Sequence, residues 1–336
     1  MDSNARKNFW DVLNSLHDNS ESSINKLVGA SPLPKTLCRF RPVNKNSLQQ
    51  LNNNTLYFSS ADRYDDPFDT YFYIDVDQMI PVYEEMRKAL FVGNEGFMQA
   101  ISQIAKLAGK DPNEFVKDLL KKDVDFSHLN GQLMMVRNSI QKRLFSICFC
   151  EDEYNETLWL KYANNYQGFV LIYDLQDPNT FLCGKAAECQ NCFTANNRPS
   201  IYPMYYADER YDATRCALGM LLYDKVVGYN PTNTSLLPNI IQQSIMWELE
   251  RVSLIKKKCH ENDQEWRMIR PTVSEQRSFY KMKPSKVIIG LRTPEYESTL
   301  IVSAAVNAGI KEVHKLYIND KDLLDSAPIP DNLYHI

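Results

Sequence analysis

Three short stretches concentrate the residues able to do chemistry. Arg39 and Arg41 flank Phe40 in CRFRPV, and alternate positions of a strand share one face, so the two guanidinium groups stand together. Such a pair needs carboxylates, phosphates or solvent; structural ion pairing and bidentate anchoring of a phosphorylated or carboxylated ligand both meet that need. FSSADRYDDPFD sets Ser59 and Ser60 ahead of Asp65, Asp66 and Asp69, which crowd around Pro67. These carboxylates suit Asx-type turn caps, a cation site, or partners for the arginines, because a buried acidic group is costly without one. DQEWRMIR places Asp263, Glu265 and Arg267 on one face of a strand, with Trp266 and Met268 on the other. Among apolar neighbours Glu265 is expected to have a raised pKa and to serve as an acid, a base or a stabiliser of a cation; a plain ion pair with Arg267 is the alternative.

Around these stretches, Trp159, Tyr162 and Gly168 in LWLKYANNYQGFVLIYD are candidates to wall a pocket, although aromatics at helical spacing also serve as core. The five histidines, His17, His128, His260, His314 and His335, form no HExxH or HxH spacing, which disfavours a histidine-based metallohydrolase. A GxSxG elbow is absent. Among the eight cysteines, Cys183, Cys189 and Cys192 give a CxxC with a third thiol upstream. Zinc would need a fourth ligand such as Cys216, Cys259 or His260, and unligated thiols are the simpler reading. Lys256, Lys257 and Lys258 with His260 read as the basic, solvated end of a helix.

Positioning these residues requires strands where apolar positions alternate or run together. TLCRFRPV, TLYFSS, RLFSICFC, GFVLIYDL, IYPMYYAD, EWRMIR, KVIIGL and VHKLYI have that character. LWLKYANN, STLIVSAAVNAG and two stretches, at ERYDATRCALGMLLYDKVV and LLPNIIQQSIMWELERVSLIKKK, read as helices. Residues 76–143 show helical periodicity and form a helical insertion, while 1–34, with Phe9, Trp10, Leu13 and Leu16 at helical spacing, form an N-terminal helical appendage. The expected architecture is α+β: one domain over 35–336 with a mixed central sheet and flanking helices. No glycine-rich phosphate loop follows a strand, so a Rossmann domain is disfavoured.

A chain of 336 residues with 44% apolar content supports a substantial core. Its formal net charge of −4 gives no overall attraction to nucleic acid or anionic membrane. The charged N-terminus lacks the apolar region of a signal peptide, and no run approaches the ~18 apolar residues of a membrane span, so a cytoplasmic location with reduced thiols is expected.

Taken in order, CRFRPVN, LYFSSADRYDDPFD, ICFCEDE, LWLKYANNYQGFVLIYD, a lysine-rich segment and QEWRMI resemble a mainly bacterial family of domains of unknown function, number twenty-nine seventy-one. The likeness spans about Thr36 to Arg270, or to Ile318 at its widest; Asp65 stands where an Asn is usual, and the insertion is long. The order of Arg, Ser and Glu is also similar to the R-S-E arrangement of ADP-ribosyltransferase-like enzymes. That resemblance implies that Arg39 or Arg41 anchors NAD phosphates, Ser59 or Ser60 braces the nicotinamide pocket, and Glu265 stabilises an oxocarbenium-like transition state. Trp159, Tyr162 and Arg267 would complete the NAD site, with no metal required. It further implies an NAD-consuming transferase or glycohydrolase with a protein or nucleic-acid acceptor, acting as a toxin or antiviral effector. Two other readings stand beside it: a non-catalytic nucleotide- or protein-binding sensor, and a Mg²⁺-dependent nuclease built on Asp65, Asp66, Asp69 and Glu265.

Overall fold

The apolar runs become strands of one large sheet. In the computed structural model, which describes residues 1–66, 68–89, 95–107, 109–112, 114–115, 129–182, 193–194, 198–219, 246–271 and 279–330, the fold is α+β. In chain order, α1 (Ser3–Ser15) and α2 (Glu21–Ala30) precede β1 (Thr36–Arg41), α3 (Lys45–Asn52), β2 (Thr55–Tyr57) and β3 (Ser59–Ser60). Next come α4 (Val76–Ala89), α5 (Glu95–Leu107), α6 (Leu129–Arg143), β4 (Leu144–Cys150), α7 (Glu156–Tyr162) and β5 (Phe169–Asp174). Then follow β6 (Phe193–Thr194), β7 (Arg198–Pro199), β8 (Ile201–Pro203), β9 (Tyr205–Ala207), α8 (Glu248–Ser253), β10 (Ile255–Lys257) and β11 (Glu265–Pro271). The chain closes with β12 (Phe279–Lys281), β13 (Lys286–Ile289), α9 (Glu295–Asn307), β14 (Glu312–Ile318) and β15 (Leu324–Pro328).

The main sheet runs β15-β14-β13-β5-β1-β4-β11-β8, with β3 also on β4. β13 and β14 are parallel, joined through α9, and the other neighbours in that path are antiparallel. β5 is buried from Phe169 to Tyr173 because both faces are covered, which is why it reads as a continuous apolar run. On one face Leu37, Phe149, Leu171, Tyr173, Trp266 and Val287 pack with Leu51 of α3 and Ile301 and Ala305 of α9. On the other, Cys38, Phe40, Val170, Ile172 and Ile288 pack under Leu158 and Trp159 of α7.

Helices α4, α5 and α6 occupy the expected insertion, and Met79, Tyr83, Met86 and Ile140 build a separate core with Phe72, Ala217 and Val252. The N-terminal helices are more integral than an appendage: Phe9, Leu13 and Leu27 are fully buried against Tyr202, Met204 and Leu254. Arg6 is buried too, donating to the backbone oxygens of Met204 (2.8 Å) and Glu265 (2.9 Å) and to Glu151 Oε1 (2.7 Å). The helix expected to run through the lysines ends at Ser253, and Ile255–Lys257 instead pairs in parallel with β9. Short strand β15 carries little periodicity and was not expected. No helix among the described residues is long and apolar enough to cross a membrane.

Candidate functional site

β1 is paired with β5 along its length, from Thr36 opposite Asp174 to Arg41 opposite Phe169, but meets β4 only where Cys38 faces Cys150. Beyond that point the strands part. The far end of β4 takes up β3 instead, with Ser59 opposite Ser146 and Ser60 opposite Phe145. The gap so framed is a cavity of about 260 Å³, and its walls bring together Arg39, Arg41, Ser59, Asp65, Asp66, Asp69, Asp263 and Glu265. Tyr162 reaches it from α7. The register Cys38–Cys150–Glu265 puts those three on the α7 face, whereas Arg39 and Arg41 start from the α9 face. The cavity is therefore lined from both sides of the parted sheet.

The two arginines have no carboxylate partner among the described residues. Arg41 Nη2 donates to Gln50 Oε1 at 3.3 Å, and Nη1 of Arg39 is buried without a hydrogen bond. Burial lowers the pKa of Arg39, and burial together with the Arg39 charge brings Arg41 down to about 9. Two cations pressed together without an anion form a site that an anionic ligand would relieve. The Asp cluster does not neutralise them.

Its partners lie at the other end. Arg267 is fully buried and donates from Nη2 to Asp69 Oδ2 (2.6 Å) and from Nε to Glu265 Oε1 (2.6 Å). Lys256, also buried, stands 3.1 Å from Glu265, 3.7 Å from Asp69 and 3.6 Å from Asp263. Burial alone would push the Glu265 carboxyl up, but Arg267 and Lys256 outweigh it and hold the group well below the usual carboxylate range. This overturns the expectation of a raised pKa: Glu265 is a fixed anion, unsuited to donating a proton and suited to facing a cation. Burial disfavours the Lys256 charge, yet Glu265 and Asp69 more than offset it and raise its pKa. His260 Nε2 is 3.6 Å from Asp66 and its Nδ1 3.6 Å from Asp263, closing the network at the cavity rim. Asp66 is in addition a turn cap, accepting from the Phe68 amide at 2.8 Å.

The local backbone explains the placement. A 3₁₀ turn over Lys258–Asp263 ends at Gln264 in the left-handed region (φ 44), which swings the chain into β11 with Glu265 first. The Glu265 amide donates to the Tyr206 hydroxyl at 2.7 Å, and Arg6 holds its carbonyl. At the other wall, Gly168 lies against β1 so closely that a Cβ would fall 2.1 Å from the Arg41 oxygen.

Not every expected residue reaches the cavity. Ser60 is buried beside Phe145 and outside the lining, leaving Ser59 as the serine of the wall. Trp159 is fully buried, donating to the Glu153 carbonyl at 2.9 Å and stacking on Tyr166, so it is core. Arg267 sits behind Glu265 and serves as its counter-charge instead of a ligand contact. Conversely, Lys256 and His260, read from sequence as a solvated basic end, line the cavity. The signal for Lys256 was present: the acids Asp263 and Glu265 nearby require a buried cation. Cys148 also lines the wall, its thiol pushed up to about 12 by burial and by Glu265, and burial pushes Tyr162 up to about 12 against the opposing Lys256 charge. Cys183, Cys189 and Cys192, weighed as zinc ligands but read as unligated thiols, lie outside the described residues.

Of the four carboxylates a Mg²⁺ site would draw on, Asp69 and Glu265 are already paired with Lys256 and Arg267, and no group of three or more metal-ligating side chains is gathered among the described residues. Comparison of the chain with protein families, curated proteins and solved structures finds no match.

Proposed function

We propose that the cavity binds a phosphorylated nucleotide, with NAD as the candidate substrate, and that the chain is an NAD-consuming enzyme of the ADP-ribosyltransferase or NAD glycohydrolase type. One observation carries the reading: two arginines without carboxylate partners line the same cavity as a carboxylate held ionised. Phosphates would neutralise Arg39 and Arg41. When the nicotinamide–ribose bond breaks, its electron pair leaves with nicotinamide and the ribose becomes an oxocarbenium-like cation, which Glu265 would stabilise without accepting a proton. Water then gives ADP-ribose, and a nucleophile on a protein or nucleic acid gives a transferred product. The order of the Arg, Ser and Glu stretches supports the same assignment, and consumption of NAD fits a toxin or antiviral effector.

The test is release of nicotinamide from NAD, with and without candidate acceptors. Glu265→Gln, whose amide oxygen still accepts from Arg267, is expected to lose about 10²–10³ in rate with its circular dichroism unchanged. Equal turnover by wild type and variant, or no cleavage by either, would remove the reading. A second reading, a non-catalytic nucleotide sensor, is favoured by the close engagement of Glu265 with Lys256 and Arg267. Tight nucleotide binding with no turnover over hours would select it.

A further inference from the structure

Two cysteines of the cavity wall are used by nothing described so far. Cys38 and Cys150 face each other at the single point where β1 meets β4, and their Sγ atoms are 3.0 Å apart. Both are free thiols, 1% and 4% exposed, and both border the cavity. A disulfide requires an S–S distance of about 2.05 Å and Cα atoms about 4.4–6.8 Å apart, the separation that directly opposed antiparallel residues already have. Joining the pair therefore takes roughly 1 Å of side-chain movement and no change of register.

We propose that Cys38 and Cys150 are a reversible oxidation site, forming a disulfide that fastens β1 to β4 at the head of the cavity when the chain meets a peroxide. One thiol attacks hydrogen peroxide, giving a sulfenic acid and water; the second thiol displaces the hydroxyl as a second water and the S–S bond forms. Two electrons pass from the thiol pair to the peroxide, and an added dithiol returns them. Both residues belong to the cavity wall, the side from which a molecule of that size would approach. Burial holds the Cys38 thiol well above its ordinary pKa, so little thiolate is present and oxidation of the pair is slow, requiring sustained exposure to peroxide. The consequence falls on the neighbour: Arg39 follows Cys38 at the point where the strands begin to part, so the bond restrains the mouth of the gap. Cys148, on the same strand and face, is the competing thiol and contacts Ser146 (3.8 Å) and Glu265. The Cys38 and Cys150 sulfurs also reach the Cys150 and Asp152 backbone oxygens (3.4 and 3.5 Å), but they lie nearest each other.

The experiment treats the full chain with hydrogen peroxide, blocks remaining thiols with N-ethylmaleimide, and maps peptides by mass spectrometry without reduction. The expected result is a Cys38–Cys150 linked peptide that disappears with dithiothreitol, is absent from Cys38→Ser and persists in Cys148→Ser. Recovery of Cys38 and Cys150 as maleimide adducts while exposed Cys259 is oxidised, or a linkage through Cys148, would overturn the proposal. Because the wild-type map is decisive by itself, the outcome does not depend on how either variant folds, nor on whether NAD is the substrate.

Discussion

Burial and the neighbouring Arg39 both work against the charge on Arg41, while Arg267 is matched by two carboxylates. The two arginines should therefore respond oppositely to truncation. Arg41→Ala is expected to leave the melting temperature unchanged or raise it, as thermal unfolding would show, because it removes an unpaired cation. Arg267→Met is expected to destabilise by about 3–5 kcal/mol in urea titration, because it leaves Asp69 and Glu265 buried without their partner. The Glu265 carboxyl adds a pH signature. Its folded pKa lies below its unfolded value near 4.3, so its contribution is complete above roughly pH 5 and is lost as pH falls through the folded pKa. Urea titrations at about pH 7, 5 and 3 should show a fall toward pH 3 that is smaller in Glu265→Gln; equal falls would contradict the depressed pKa.

At the scale of elements, the site depends on β1 parting from β4 while staying fastened to β5. Gly168, where the loop enters β5, sets how close that loop approaches. A Cβ there would meet the Arg41 oxygen at 2.1 Å and the Ala163 Cα at 2.9 Å, both backbone atoms with little freedom to move. Gly168→Ala should cost about 1–3 kcal/mol of stability and displace Arg41, so that nucleotide affinity falls more than it does for Gly29→Ala, where nothing stands within 4 Å. The strands on either side of this gap were legible in sequence because β4, β5 and β11 carry continuous or alternating apolar runs. Lys256 was marked only by the nearby acids Asp263 and Glu265, against a lysine run that reads as the solvated end of a helix; the tertiary pairing of β10 with β9 turns it inward. Likewise Arg267 and Trp159 have the residue types of a binding site, and burial, which no local pattern encodes, makes them scaffold.

For the whole molecule, two layers of helices on a mixed sheet leave one gap in which three distant stretches of sequence meet. The pairing there differs from the expected one: the Asp cluster was a candidate partner for Arg39 and Arg41, whereas Asp69 pairs with Lys256 and Arg267 and Asp66 lies beside His260. Pairing between residues some two hundred positions apart is set by the sheet's strand order, which the linear pattern does not specify. That separation of charges, a cation pair left open at one wall and an ionised carboxylate at the other, is the central claim. Calorimetric titration of NAD into the wild-type chain, Arg39→Ala and Arg41→Ala tests it most directly. Binding is predicted to weaken about tenfold or more for each arginine removed, the loss of a charge-assisted hydrogen bond of about 1.5–3 kcal/mol. Unchanged affinity in both variants, or no binding to the wild type, would contradict it.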